Sequence, residues 1–185
     1  MTQATPSTFT PIGQILTQQV FPEILRARKI VLRVSCLGTV SYAGAGDADC
    51  RDHSVSLGEA SSPDEAMALA ATRVARGDIH ADEDNTVQFR PRLIVIYDNT
   101  LGLVLAGEIR AGIILWQHPV ASDGEVRRLI NEASRLRGMA FAASGRGDYA
   151  LARDLRFRAA LLEARLVDPV WRETAANLLR LPQAA

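Results

Sequence analysis

Residues 93–97 read Leu-Ile-Val-Ile-Tyr, and this run limits the fold more than any other stretch of the chain. Successive side chains of a strand point to opposite faces, so apolar residues at odd and even positions alike need cover on both sides. The β-branched Ile94, Val95 and Ile96 favour an extended backbone. The run therefore predicts a central strand in a sheet that carries protein on each face. With 185 residues, 48% of them hydrophobic, the chain can build that cover without disulfide staples.

The punctuation around this strand predicts an α+β order. Residues 1–11, with Pro6 and Pro11, read as a flexible tail, and Ile12, Ile15, Leu16 and Val20 have the spacing of a short helix. Ile30, Leu32 and Val34 alternate with Val31, Arg33 and Ser35 as in a strand, and Thr39–Tyr42 is expected to pair with it after a turn at Gly38. A loop over 43–53 leads into a short strand, Ser54–Glu59. Ser62, Pro63 and Glu65 form the start signal of a helix, with a capping residue, a first-position proline and a capping box. Its inner face reads Met67, Ala70, Ala71 and Val74, and Gly77 ends it. Residues 100–119 read as two short strands turning near Ala106-Gly107.

Three helices are expected after that. Asp123 caps the first, with Val126, Leu129, Ile130, Ala133, Leu136 and Ala140 inside. The second runs from Asp148 to about Val167 on a stripe of Leu151, Leu155, Ala159, Leu162 and Leu166. Asp168-Pro169 opens the third, with Trp171, Thr174, Ala175 and Leu178 on one side, and Pro182 closes it. The expected fold is thus α+β: a small antiparallel or mixed sheet with one or two helices, followed by a C-terminal three-helix unit. Residues 12–122 form the α+β domain and residues 123–185 the helical unit, packed on the sheet.

Net charge is zero, so no global field draws the chain to nucleic acid or membrane. Residues 1–122 nevertheless hold 10 basic and 13 acidic side chains, and residues 123–185 hold 11 and 8. Of the basic set, 20 are Arg and one is Lys29, a bias that points to GC-rich bacterial coding. The N-terminal residues show neither a basic start nor a long apolar run, and Glu108 and Arg110 break the longest apolar stretch, so a cytoplasmic protein is expected. Cys36 and Cys50 alone make no disulfide framework.

Two loops gather metal-ligand residue types. Asp47, Asp49, Cys50, Asp52 and His53 lie in one and His80 in the other. Carboxylates suit a hard cation, and cysteine with histidine suits zinc. The calcium-loop pattern fails, however, because counting from Asp47 its sixth and twelfth places hold Asp52 and Gly58. No second Cys/His pair exists for zinc, so a solvated loop is the preferred reading. The chain also lacks a G-x-S-x-G elbow, a phosphate-cradling P-loop and a complete dinucleotide fingerprint. No cofactor is implied.

Arg-Gly-Asp occurs twice, at 76–78 and 146–148. Both read as helix stops, since glycine takes the positive φ that ends a helix and Asp148 can cap the next one. Across that second corner, Leu136, Met139, Ala140, Gly147, Tyr149, Ala152 and Ala159 resemble one tetratricopeptide-type hairpin over residues 136–169. Ala143 replaces the aromatic of that pattern, and Pro169 comes about five residues late. The resemblance implies an αα-hairpin and favours protein binding over catalysis.

On the second C-terminal helix, Arg153 and Arg156 share a face with Tyr149, while Phe157 and Leu161 lie off the leucine stripe. They are expected to meet a second neighbour, either the helix of Trp171 or another subunit. The function expected is therefore non-catalytic. It is protein–protein interaction through Tyr149, Arg153, Arg156, Phe157, Leu161 and Trp171, aided by the acidic loops. The partner is another protein, a homodimer included. Nucleic-acid binding by the Arg-rich helices is the second expectation, and a metal or thiol enzyme at Cys50, His53 and the nearby aspartates the third.

Overall fold

A computed structural model of the chain describes residues 30–42, 46, 49–81 and 87–180. The expected helix near residues 12–20 and the tail before it lie outside them. Five strands form one antiparallel sheet: β1 Leu32–Tyr42, β2 Arg51–Ala60, β3 Val87–Asp98, β4 Gly102–Arg110 and β5 Ile113–Trp116. Their spatial order is β2-β1-β3-β4-β5, so β3 is central. Helix α1, Pro63–Arg76, follows β2; helices α2, Asp123–Gly145, α3, Tyr149–Glu163, and α4, Pro169–Arg180, follow β5. The fold is α+β, and from Val31 onward sheet and helices belong to one compact unit.

The apolar run of β3 is covered on both sides. Its register sets Ile94 opposite Cys36 and Ile96 opposite Val34 on one face, and all four are fully buried. Helix α1 lies on this face, where Leu69 approaches Gly58, the partner of Val34. On the other face Leu93, Val95 and Ala106 pack with Ala164, Phe157, Ala160 and Leu161 from α3 and its end. Tyr97 alone of the run is well exposed, at 41%.

Helix α1 starts as expected, with Ser62 Oγ accepting from Glu65 N. The Glu65 carboxylate reaches one residue further back and accepts from the N–H and hydroxyl of Ser61, which lowers its pKa. Gly77 closes the helix at φ 64°. Its buried face is Ala66, Ala70 and Val74, whereas Ala71 is exposed.

Several boundaries differ from the sequence expectation. Gly38 is no turn: β1 runs straight through it, and the missing side chain admits the Phe89 ring. The Ala106-Gly107 turn is likewise absent, because both residues are buried inside β4. Ile114 and Trp116 of β5 fill the space a Cβ on Gly107 would need, and the chain reverses instead at Ala111-Gly112, both at positive φ. Glycine here marks close approach, not reversal. Arg51–His53, expected in a loop, belong to β2. Ser122, not Asp123, caps α2 by accepting from Glu125 N.

The last helices interlock through small residues. Ala133, Leu136, Ala140 and Ala143 of α2 meet Ala152, Leu155 and Ala159 of α3. Four positions that carry the tetratricopeptide resemblance lie in this seam, Leu136, Ala140, Ala152 and Ala159, while Met139 and Tyr149 are 44% and 42% exposed. Ile130 and Leu151 were expected inside but are 50% and 42% exposed. Between the two helices, Gly147 takes φ 80° and Asp148 accepts from Leu151 N. Asp168 starts α4 by accepting from Val170 N, and its own N–H donates to Leu103 O of β4. No helix among the described residues is long and apolar enough to cross a membrane.

Candidate functional site

The site begins with an irregularity in β3. Leu37 pairs with Leu93 but Gly38 pairs with Pro91, so Arg92 is an extra residue without a counterpart on β1. Such a bulge explains how a proline sits in an interior strand, since Pro91 has no N–H to donate. A bulge also re-aims the side chain at its centre. The Arg92 guanidinium lies over the Phe157 ring of α3, 3.5 Å from its centroid. Burial lowers the pKa of Arg92, opposed by the nearby Asp154, Asp52 and Glu108 charges. An arginine so shifted still carries its charge at neutral pH. Among the described residues no carboxylate comes within ion-pair distance of it.

Around Arg92 opens a cavity of about 350 Å³. Strands β1 and β2 form its floor, in a register that sets Thr39 opposite Asp52 and Leu37 opposite Ser54. Arg137 of α2 and Arg156, Phe157 and Ala160 of α3 form its wall. Leu37, Leu93, Phe157 and Ala160 give it an apolar side, and three guanidinium groups give it a cationic one. His53 also lines it, with its ring edge-on to Phe89 at 6.2 Å.

Two of the three arginines have carboxylate partners. Arg156 Nε donates to Asp52 Oδ2 at 2.8 Å, joining α3 to the edge strand β2. Arg137 grips Glu163 through two contacts, Nε to Oε1 at 2.7 Å and Nη2 to Oε2, which raises the arginine's pKa. Both pairs are partly exposed, a setting in which ion pairs contribute only about 0–1 kcal/mol. They hold the arginines in place while adding little to stability.

Behind the bulge, on the α1 face, Cys36 is fully buried. Burial pushes its thiol up to about 12, against a hydrogen bond from the Arg92 backbone. A thiol held neutral in this way is a core residue and not a nucleophile.

The residues singled out in the sequence disperse. Arg156 and Phe157 line the cavity, and Leu161 packs on the sheet beside Phe157. Within the chain, the second neighbour of Phe157 and Leu161 is therefore the sheet and not the helix of Trp171. Trp171 is buried, Tyr149 is 42% exposed at the start of α3, and Arg153 is half-buried one turn on. Asp52 is bound to Arg156, His80 lies 3.7 Å from Asp78, and Cys50 donates weakly to Gly46 O. Asp49 sits in the turn before β2, and Asp47 lies outside the described residues. Among the described residues no three His, Cys, Asp or Glu side chains converge as a metal site. Arg92 and Arg137 escaped the sequence reading. Pro91 inside a strand run was the signal for the first, because proline there implies a bulge. No local signal marks Arg137, whose place follows from how α2 lies along α3.

Comparison with protein-family models, with characterised proteins and with solved structures gave no match to this chain.

Proposed function

We propose that the protein is a non-catalytic binding module that takes an anionic group into the cavity beside Phe157. The observation that carries this reading is Arg92, a half-buried guanidinium without a carboxylate at ion-pair distance among the described residues, fixed by a bulge and an aromatic face. Even partial burial of a charge costs free energy unless it is paired, and an arriving anion supplies a direct partner. Sulfate, phosphate and an aromatic carboxylate, each compared with chloride at equal ionic strength, test it in a thermal-shift assay. The expected result is an anion-specific rise in Tm that disappears in Arg92→Met. A rise of equal size in Arg92→Met would remove the reading.

A second reading keeps protein interaction, with a second copy of the chain as partner, on the outer side of α2. Phe141 is 83% exposed there, on the same side of the helix as Ile130 and beside Gly138. Small residues around a protruding ring favour approach of another helix, and the tetratricopeptide resemblance favours this use of a helical hairpin. Mass measurement of the native protein and of Phe141→Ser tests it: the dimer must exist and must weaken in the variant. The nucleic-acid reading has less support, because Arg135, Arg137, Arg156, Arg158 and Arg165 all have carboxylate partners within the chain.

A further inference from the structure

We infer that the group taken up is a phosphomonoester dianion on a small apolar body, and that it enters by displacing Asp52 from Arg156. This rests on the anion-binding reading above and adds the charge and shape of the ligand. The cavity sets Arg92, Arg137 and Arg156 against a single lining carboxylate, Asp52. Glu163 holds Arg137 through both of its oxygens and sits outside the cavity lining. Asp52 is the weaker competitor. It meets Arg156 through a single hydrogen bond, its side chain is 59% exposed, and it stands on an edge strand. Once Asp52 is released, Arg92 and Arg156 present two positive charges to a lining without a carboxylate, with Asp154 and Glu108 acting on Arg92 from outside it. A phosphomonoester carries two negative charges above its second pKa of about 6.

A carboxylate offers two oxygens and one charge, which a single guanidinium fork satisfies. A phosphate offers three terminal oxygens, enough to bridge guanidinium groups on β3 and α3 together. The remainder of the cavity is apolar through Leu37, Leu93 and Phe157, and a volume near 350 Å³ lies at the small end of ligand pockets. A compact apolar body attached to the phosphate would cover these side chains, whereas inorganic phosphate would leave them wet.

The test is calorimetric titration of the full chain at pH 8 and low salt with phenyl phosphate, benzenesulfonate, benzoate and inorganic phosphate. Phenyl phosphate is expected to bind at least tenfold more tightly than the other three. Asp52→Asn is expected to raise the affinity for all three aromatic anions several-fold, since the internal carboxylate no longer competes. Arg92→Gln and Arg156→Gln are each expected to weaken phenyl phosphate at least tenfold with an unchanged circular dichroism spectrum. Benzoate or benzenesulfonate binding as tightly as phenyl phosphate, and losing it in Arg92→Gln, overturns the dianion while the anion site stands. Inorganic phosphate matching phenyl phosphate overturns the apolar body. Weaker binding in Asp52→Asn overturns the displacement. If none of the four binds, the anion-binding reading itself falls.

Discussion

Replacing Gly38 by alanine adds one methyl group at the point where β1 crosses the bulge of β3. The new Cβ would lie 2.6 and 2.7 Å from Cζ and Cε2 of Phe89, and within contact of the Arg90 carbonyl oxygen. Ordinary contact starts at 3.4 Å, so the ring is too close by about 0.7–0.8 Å. The ring could tilt away, but the carbonyl belongs to the β3 backbone and moves only with the strand. Overpacking of this kind costs about 1–3 kcal/mol, partly offset by the ~0.4–1 kcal/mol that alanine gains over glycine in the unfolded chain. A net loss of about 1.3 kcal/mol corresponds to a fall in Tm of roughly 3–5 °C for a unit of this size. Gly138→Ala is the matched control. Gly138 lies inside α2 with nothing within 4 Å of its virtual Cβ, so there the same methyl should stabilise by about 1 kcal/mol and raise Tm by roughly 2–4 °C. Differential scanning calorimetry of both variants decides the matter. A Gly38→Ala protein as stable as the parent would refute the close-approach argument, and with it the reason for a glycine in the middle of β1.

Further predictions concern other parts of the unit. Asp98 is 3% exposed and accepts from the N–H groups of Thr100 and Leu101 at 2.7 and 2.8 Å, so Asp98→Ala should cost about 1–3 kcal/mol in urea denaturation. Asp98→Asn, which keeps an acceptor, should cost less. Cys36 should resist a disulfide reagent at pH 8 until the protein unfolds, as followed by absorbance. Its folded pKa is raised from 9.0 to about 12, so the unfolded chain releases this proton first and the contribution to stability, complete below pH 9, is lost as pH rises toward 12. Cys36→Val should flatten that alkaline decline in a pH series of denaturation curves. Arg92→Met should change Tm by only a few degrees while abolishing anion binding. The cation–π contact it loses is worth about 0.5–2 kcal/mol and is offset by relief of a partly buried charge.

Much of the fold was legible because local chemistry and tertiary structure agree. The Leu93–Tyr97 run required a central strand with cover on both faces, and it has one. Ser62, Gly77, Gly147, Asp148 and Asp168 mark helix ends through capping contacts that involve only near neighbours. Misreadings cluster where glycine serves packing. Gly38 and Gly107 look like turns in sequence, but each yields space to an aromatic ring from the adjoining strand. Ile130 and Leu151 fit the helical period yet fall outside the seam, because alanines let α2 and α3 approach along a narrower line than a leucine stripe would need. Asp52 was legible as a carboxylate but not as the partner of Arg156, which lies 104 residues away in sequence. The cavity has the same origin. Its residues come from five elements, and only the stacking of α3 on the sheet brings them together.

The two-sided cover of β3 also sets an order of events on the ribosome. The face under α1 has its helix before β3 is made, since residues 63–76 precede residues 87–98. The opposite face waits. Leu93, Val95 and Ala106 are complete by residue 106, but Phe157, Leu161 and Ala164, which cover them, are synthesised roughly 50–60 residues later. At about 5–20 residues per second, that leaves the apolar face bare for roughly 3–12 s in each round of translation. During this interval the nascent sheet is a substrate for chaperones. A stall between codons 110 and 155 should be the point at which this chain is most prone to aggregate.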